Sequence, residues 1–108
     1  MVIETKYSFN KSSTKLIEKI IDDSYLQLNH ISLEKWQNIP EHFTDSNVYL
    51  IIVQGQMKLK LDVHDSRNYS EGSIVTIPYN TKMCIQNEES QILEFFVVKS
   101  PNPREFGN

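Results

Sequence analysis

His42 is the residue of this 108-residue chain best suited to acid–base chemistry. An imidazole titrates near neutral pH, so His42 can serve as a general base or as a polar anchor for a small ligand. The sequence identifies no nucleophile or oxyanion donor that would complete a mechanism beside it. The single thiol, Cys84, is expected to be a small buried hydrophobe rather than a reactive group. No phosphate-binding loop, CxxC pair or Ser-His-Asp order is visible.

Short apolar runs predict the strands that must hold His42 in place. Residues 57–63 alternate perfectly, with the side chains of Met57, Leu59, Leu61 and Val63 directed inward. Residues 48–53 are almost wholly apolar, which predicts a strand covered on both faces. Further strands are expected at 25–33, 74–77, 83–85 and 92–98, and residues 64–68 are expected to form a polar hairpin loop. Short strands separated by turns are typical of a sandwich or a barrel.

The first 22 residues leave alternatives open. Residues 1–12 are polar and weakly patterned, and they predict either a loose arm or an edge strand. Residues 13–22 have the periodicity of one helical face, so periodicity alone favours a helix, although the same residues also allow a β-strand that ends at the turn 22–24. The apolar residues of this segment are Leu16, Ile17, Ile20 and Ile21.

Two glycines are the most informative markers of the fold. Gly55 closes the apolar run, and Gly72 opens a second run that ends at Pro78. Glycine permits the positive φ of tight turns between strands, and proline ends a strand because it cannot donate to the ladder. His42 precedes the first run and Asn87 follows the second. This spacing resembles the two-motif skeleton of the cupin superfamily, in particular small single-domain cupins, over about residues 24–99.

The resemblance implies an all-β fold, a single-domain jelly-roll β-barrel. One cupin domain is expected over residues 1–108, with the barrel core at about 24–99, an N-terminal arm or strand at 1–23 and a C-terminal tail at 100–108. The resemblance also favours the strand in residues 13–22. Trp36 and Asn80 stand where the motifs usually have glycines. Asparagine tolerates a left-handed conformation, whereas the indole is expected to cover the barrel mouth or to contact a ligand.

The positions at which cupins hold a metal carry unsuitable side chains here. These positions fall on His42, Thr44, Val48 and Met83. Valine cannot ligate, a threonine hydroxyl is a weak neutral ligand and a thioether is soft. One imidazole will not hold a divalent ion against competition, so we expect neither a metal nor another cofactor. A metal site would need a further ligand such as His30 or Cys84.

The retained scaffold and the lost metal ligands together predict a metal-free cupin that binds a small molecule in the barrel or acts as an accessory or sensor module. Its ligand is expected in an apolar pocket beside His42, since ligand sites commonly combine an apolar lining with few polar groups. The predicted ligand-binding residues are Trp36, His42, Thr44, Val48, Leu50, Tyr79, Met83 and Ile85.

Two alternatives stay open at this point. Cupins include isomerases, epimerases and oxygenases, so the resemblance allows an enzyme in which His42 is the base and Tyr49 or Tyr79 the acid. The other alternative is a structural homodimer with a filled barrel. His30 and His64 are expected to be structural or exposed, and the arginines at 67 and 104 are expected at the surface.

Composition narrows the possible partners and location. The net charge is −3 and no cluster of Lys and Arg stands out, which argues against nucleic acid and membranes as partners. A single cysteine excludes an internal disulfide. The sequence has no stretch of about 20 apolar residues and no signal-peptide pattern, so a cytoplasmic protein is expected. A homodimer is also expected, because a second copy would cover the edge strands of so small a domain.

Overall fold

The computed structural model describes residues 3–105, and these residues form strands rather than α-helices. Nine strands lie within the described range, followed by one short 3-10 turn at Pro103–Glu105. The strands are β1 Leu16–Asp22, β2 Gln27–Leu33, β3 Asn38–Phe43, β4 Val48–Gln54, β5 Gln56–Leu61, β6 Arg67–Ser70, β7 Ile74–Ile77, β8 Lys82–Gln86 and β9 Leu93–Lys99.

The strands form two antiparallel sheets. One has the order β1-β2-β9-β4-β7, and the other has the order β3-β8-β5-β6. Several strands that follow each other in the chain therefore lie in different sheets, which is the arrangement of a jelly roll. The all-β jelly roll predicted from the glycine and proline spacing is confirmed.

The hydrophobic core lies between the two sheets. Strand alternation sends every second side chain inward, and the inward side chains of both sheets meet there. Four of the predicted pocket residues belong to this core and are almost completely buried: Val48, Leu50, Met83 and Ile85. Full burial of such a side chain contributes about 1.5–3 kcal/mol.

Gly55 is required by its surroundings as well as by its conformation. Its φ is +82°, and a Cβ atom added there would lie 2.5 Å from the carbonyl oxygen of Ile92. Any side chain at this position would force the β4–β5 connection away from the start of β9. Gly72 also has a positive φ, but a Cβ atom there would meet nothing within 4 Å.

The segment with ambiguous periodicity is a strand, as the resemblance favoured. β1 pairs antiparallel with β2, from Leu16 opposite Ser32 to Asp22 opposite Gln27. The register shifts between Lys19 and Ile21, where the strand contains a bulge. The bulge offsets the two-residue alternation by one position, which explains why these apolar residues imitate helical spacing. Residues 3–15 contain no strand and form an arm.

The β5–β6 hairpin differs from the prediction. Val63 was expected to point inward, but β5 ends at Leu61 and Val63 is 88% exposed. Alternation stops because Asp62 adopts a φ of +50° and turns the chain. β6 already begins at Arg67, within the segment predicted as a loop.

Candidate functional site

His42 lies on the interior side of the four-stranded sheet but is exposed. It pairs with Met83, whose side chain enters the core. Its Nδ1 atom lies 2.8 Å from the carbonyl oxygen of Pro40. A carbonyl oxygen can only accept, so Nδ1 donates this hydrogen bond and the neutral ring keeps an unprotonated Nε2. His42 therefore has a free basic nitrogen at one end of the barrel.

Thr44 has a structural role. Its hydroxyl donates to the carbonyl oxygen of Pro78 at 2.8 Å and accepts from the backbone N–H of Thr81 at 2.9 Å. The side chain is buried and joins the start of β4 to the β7–β8 connection. With one donor and one acceptor function already used, this hydroxyl has little capacity left for a ligand.

Trp36 and Tyr79 are not brought together by the fold. Trp36 precedes β3 and donates its backbone N–H to the carbonyl oxygen of Asn87. Tyr79 follows β7 and donates its backbone N–H to the Oδ1 atom of Asn47 at 3.2 Å. His42 lies near the last residue of β3, so the length of the strand separates it from Trp36. The indole is 65% exposed, and the Lys35 ammonium lies 5.1 Å from its ring centroid.

A cavity of about 270 Å³ lies under the β5–β6 hairpin, at the same end of the barrel as His42. In this hairpin Arg67 pairs with Leu59, and Tyr69 pairs with Met57. The side chains of these residues face the cavity or the core beside the cavity. The cavity is lined by Leu59, Leu61, His64, Asp65, Arg67 and Tyr69. It thus combines an apolar floor with a charged rim, the composition typical of small-molecule sites.

The cavity adjoins the predicted pocket without coinciding with it. Leu61 pairs with Met83, and Met83 pairs with His42, so the three residues form a row across β5, β8 and β3. Neighbouring strands are about 4.8 Å apart, which places the row's two ends roughly 10 Å apart. The predicted pocket residues Leu50, Met83 and Ile85 are packed in the core, whereas the space beyond Leu61 is open.

A second group of ionisable side chains lies on the outer face of the five-stranded sheet, the face that points away from the core. His30 has no exposed surface, and its ring nitrogens each lie 2.7 Å from a carboxylate: Nδ1 from Glu18 and Nε2 from Glu94. A carboxylate can only accept, so both nitrogens donate and His30 is an imidazolium in this arrangement. Lys11 from the arm binds the other oxygen of Glu94, also at 2.7 Å.

The arm closes this group from solvent. Asn10 donates its backbone N–H and its amide N–H to the two carboxylate oxygens of Glu18, at 3.1 and 2.7 Å. The ring of Phe9 packs against the rings of His30 and Phe96, with centroids 4.9 Å apart in both cases. We call Lys11, Glu18, His30 and Glu94 the outer-face cluster. Its two positive and two negative charges cancel, as buried charges require.

Hydrogen bonds to the outer-face cluster hold its carboxylates in the ionised form. The Asn10 backbone N–H and the His30 ring lower the pKa of Glu18 from its ordinary value of 4.5. Burial alone would raise the pKa of Glu94, but the hydrogen bonds from Lys11 and His30 outweigh it and the pKa is lowered from 4.5.

Comparisons with known proteins place the chain in a family. It is 46% identical over 104 residues to the uncharacterized protein MJ0764 of Methanocaldococcus jannaschii, covering 95% of this chain and 90% of that protein. The crystal structure of MJ0764, described as an RmlC-like cupin family protein with a double-stranded β-helix fold, superimposes with a TM-score of 0.93 at 45% identity, covering 97% of both chains. The chain is a cupin. The resemblance drawn from its two motifs is confirmed.

More distant cupins share only the fold with this one. A cupin superfamily protein from Desulfitobacterium hafniense has a TM-score of 0.74 at 11% identity, covering 86% of this chain and 83% of that one. The cupin domain of Schizosaccharomyces pombe Cnp3 has a TM-score of 0.76 at 11% identity, covering 91% and 72%. No family model matches the sequence. Residues 3–105 of this cupin contain no helix with the length and apolar character of a membrane span.

The metal of other cupins does not fit the side chains at the motif positions. Val48 and Met83 are packed into the core, and the Thr44 hydroxyl is engaged by backbone groups on both sides. His42 would be a single ligand facing solvent. Across residues 3–105, no three His, Cys, Asp or Glu side chains come together in a way that could hold a metal ion. His30, the candidate extra ligand, lies on the other side of the sheet with both nitrogens occupied.

Sequence reasoning missed both polar groups that the fold assembles. Glu94 offered a signal, because it is a lone acidic residue within the apolar run 92–98, and a strand buried on both faces needs a partner for it. Arg67 offered a weaker signal, because the inward direction of its side chain depends on a turn at Asp62 that the alternating pattern concealed. Trp36 and Asn80 do confirm the motif register, since both have positive φ where cupins usually have glycine.

Proposed function

We propose that this cupin binds a small, partly apolar molecule in the cavity under the β5–β6 hairpin, and does so without a metal. The observation that carries the proposal is the cavity itself, about 270 Å³ of space above Leu59 and Leu61, with an apolar floor and a charged rim. The volume equals that of about nine waters at roughly 30 Å³ each, which suits a metabolite rather than a polymer.

Burial of apolar ligand surface would supply the affinity. Leu59 is almost completely buried and Tyr69 and Leu61 pack against the core, so the floor of the cavity is held rigidly by the barrel. Each methylene group transferred from water to such a floor contributes up to about 0.8 kcal/mol.

A cavity-filling substitution tests this proposal. Hexan-1-ol, a neutral molecule with an apolar chain, is titrated into the wild-type protein and into Leu61→Phe, and amide chemical shifts are followed by NMR. The larger side chain is expected to occupy the cavity and abolish saturable binding. Leu61→Met is the matched control, because it nearly conserves volume and is expected to keep binding.

Four results would count against the proposal or change it. Equal binding by wild type and Leu61→Phe would mean that hexan-1-ol binds elsewhere, and no binding by either would remove the cavity as a ligand site. Loss of binding in His42→Ala, with Leu61→Phe unaffected, would move the site to the originally predicted pocket. Elemental analysis of tag-free protein is expected to show no stoichiometric metal, and metal that disappears in His42→Ala would contradict the metal-free reading.

A homodimer is the second candidate, favoured by apolar side chains on the outer face of β4 and β7. Ile74 is 68% exposed on the edge strand β7, beside Ile51 of β4, and Tyr49 and Val53 are also exposed. Exposed apolar surface next to an open strand edge favours self-association. Sedimentation is expected to show a dimer for wild type and a monomer for Ile74→Glu. A wild-type protein that stays monomeric at high micromolar concentration would exclude it.

A further inference from the structure

We propose that the cavity under the β5–β6 hairpin selects molecules that carry a carboxylate, and that the guanidinium of Arg67 binds this group. The inference rests on the proposed function and gives it a chemical class: a small organic acid whose apolar part lies on Leu59 and Leu61 and whose charged end lies at the rim. The juxtaposition that supports it is an unpaired guanidinium beside an apolar cavity.

Arg67 is directed to the interior side of the sheet by its register. It stands opposite Leu59, whose side chain is in the core, and residues opposite each other on antiparallel strands point to the same face. β6 is an edge strand that pairs only with β5, so the guanidinium keeps access to solvent while lining the cavity. A ligand that enters from solvent would therefore meet Arg67 at the rim.

Arg67 differs from Arg104, the other arginine of the chain, whose guanidinium forms ion pairs. Within residues 3–105, its guanidinium makes no hydrogen bond, ion pair or ring contact. By contrast, the side chains of five other basic residues form ion pairs: Lys11, Lys19, Lys58, Lys99 and Arg104. A guanidinium offers two parallel N–H donors that match a carboxylate, so Arg67 presents an unfilled bidentate site.

The carboxylate of Asp65 and the imidazole of His64 complete the polar rim. Asp65 opposes an anion placed on Arg67, and it would attract an ammonium group carried next to the ligand's carboxylate. The shared chemistry is thus a carboxylate, which a simple fatty acid and an apolar amino acid can both supply. Norleucine and hexanoate have similar apolar chains, and comparing them distinguishes the two sources.

The test is an NMR titration of the full-length protein with four probes at low salt: hexanoate, norleucine, hexan-1-ol and hexylamine. Hexanoate or norleucine is expected to bind more tightly than hexan-1-ol, and hexylamine more weakly. Arg67→Gln is expected to weaken hexanoate binding about fivefold, the size of a solvent-accessible ion pair, and to leave hexan-1-ol binding unchanged. The affinity of Arg67→Lys for hexanoate is expected to fall between those of wild type and Arg67→Gln, since lysine keeps the charge but lacks the two parallel N–H donors.

Asp65→Asn is the matched control on the same rim. It is expected to tighten hexanoate binding by removing a like charge, and to weaken norleucine binding if the ammonium group contacts Asp65. High salt is expected to weaken the binding of hexanoate but not the binding of hexan-1-ol.

The failure of this inference is distinguishable from that of the proposed function. If neither hexanoate nor norleucine binds better than hexan-1-ol, or if Arg67→Gln leaves the affinity for the tighter of these two acids unchanged, carboxylate selection is overturned while the cavity stands as a ligand site. If neither hexan-1-ol nor hexanoate binds, the cavity itself is overturned.

Discussion

The outer-face cluster and the cavity under the β5–β6 hairpin use the same kinds of side chain in opposite ways. In the outer-face cluster, a fully buried imidazolium lies between two carboxylates at 2.7 Å, and Lys11 balances the remaining charge. In the cavity, a histidine, an aspartate and an arginine line an open space, and their side chains form no ion pair with one another.

The difference shows which ionisable groups hold the fold and which face a ligand. A buried charge with every partner in place connects chain segments, here the arm, β1, β2 and β9, and it has no capacity for another molecule. A charged group that keeps its access to solvent beside an apolar floor is available for recognition. Four predictions follow from this contrast, and each compares a residue of one region with the other or with wild type.

The largest expected effect is on His30. His30→Ala removes the central donor and leaves two carboxylates facing each other in a buried setting, so the free energy of unfolding is expected to fall by about 3–5 kcal/mol. His64→Ala, a histidine substitution at the cavity rim, is expected to change it by less than about 0.5 kcal/mol. Urea denaturation of both variants measures the difference. Two similar values would break the distinction between the regions.

Acid is expected to destabilise the protein through the outer-face cluster. Glu18 and Glu94 have a folded-state pKa below 4.5, so the unfolded chain binds their protons first as the pH falls. Their contribution is complete above pH of about 4.5 and is lost as the pH drops through the lowered pKa values. Denaturation curves from neutral pH downward are expected to show this loss. A Glu94→Gln protein with the wild-type slope in that range would contradict it.

Removal of the lysine from the cluster is expected to have a smaller effect. Lys11 is largely exposed although it binds the buried Glu94, so Lys11→Ala is expected to cost about 1 kcal/mol or less. Faster hydrogen exchange of the amides in residues 9–12 is expected at the same time, because the arm loses one of its attachments. Unchanged exchange in the arm would show that Phe9 and Asn10 hold it without Lys11.

The smallest effect on stability is expected at Arg67. Because its guanidinium has no partner to lose among residues 3–105, Arg67→Gln is expected to change the free energy of unfolding by less than about 0.5 kcal/mol while weakening hexanoate binding. Thermal unfolding of the ligand-free variant checks this. A loss as large as that in His30→Ala would mean that Arg67 has a structural role.

The sequence was sufficient for the fold because the informative residues act locally. Gly55 is a turn residue with a positive φ, and Pro78 follows β7 directly, so their spacing in the cupin-like motifs predicted the jelly-roll fold. Positive φ at Trp36 and Asn80 shows that the motif positions were aligned correctly even where the residue types differ. The helix-or-strand ambiguity of residues 13–22 came from a bulge, which periodicity cannot separate from a helical face.

The polar groups were harder to predict because their partners are distant in the chain. His30 is 12 residues from Glu18 and 64 from Glu94, and no local pattern joins them. The direction of Arg67 depends on where β5 ends, which is set by the conformation of one residue, Asp62. The ligand-binding role predicted for His42 stays a prediction, although the structure places that residue at the same end of the barrel as the cavity.

The most direct test of the account is an amide chemical-shift map of the wild-type protein during titration with hexanoate. Saturable shifts are expected to concentrate at residues 59–69, and the outer-face cluster around His30 is expected to be unaffected. Shifts concentrated at 42–44 and 83–85, or at residues 9–11, 18, 30 and 94, would contradict it, because the ligand would then lie in the closed core or on the face where the charges are already paired.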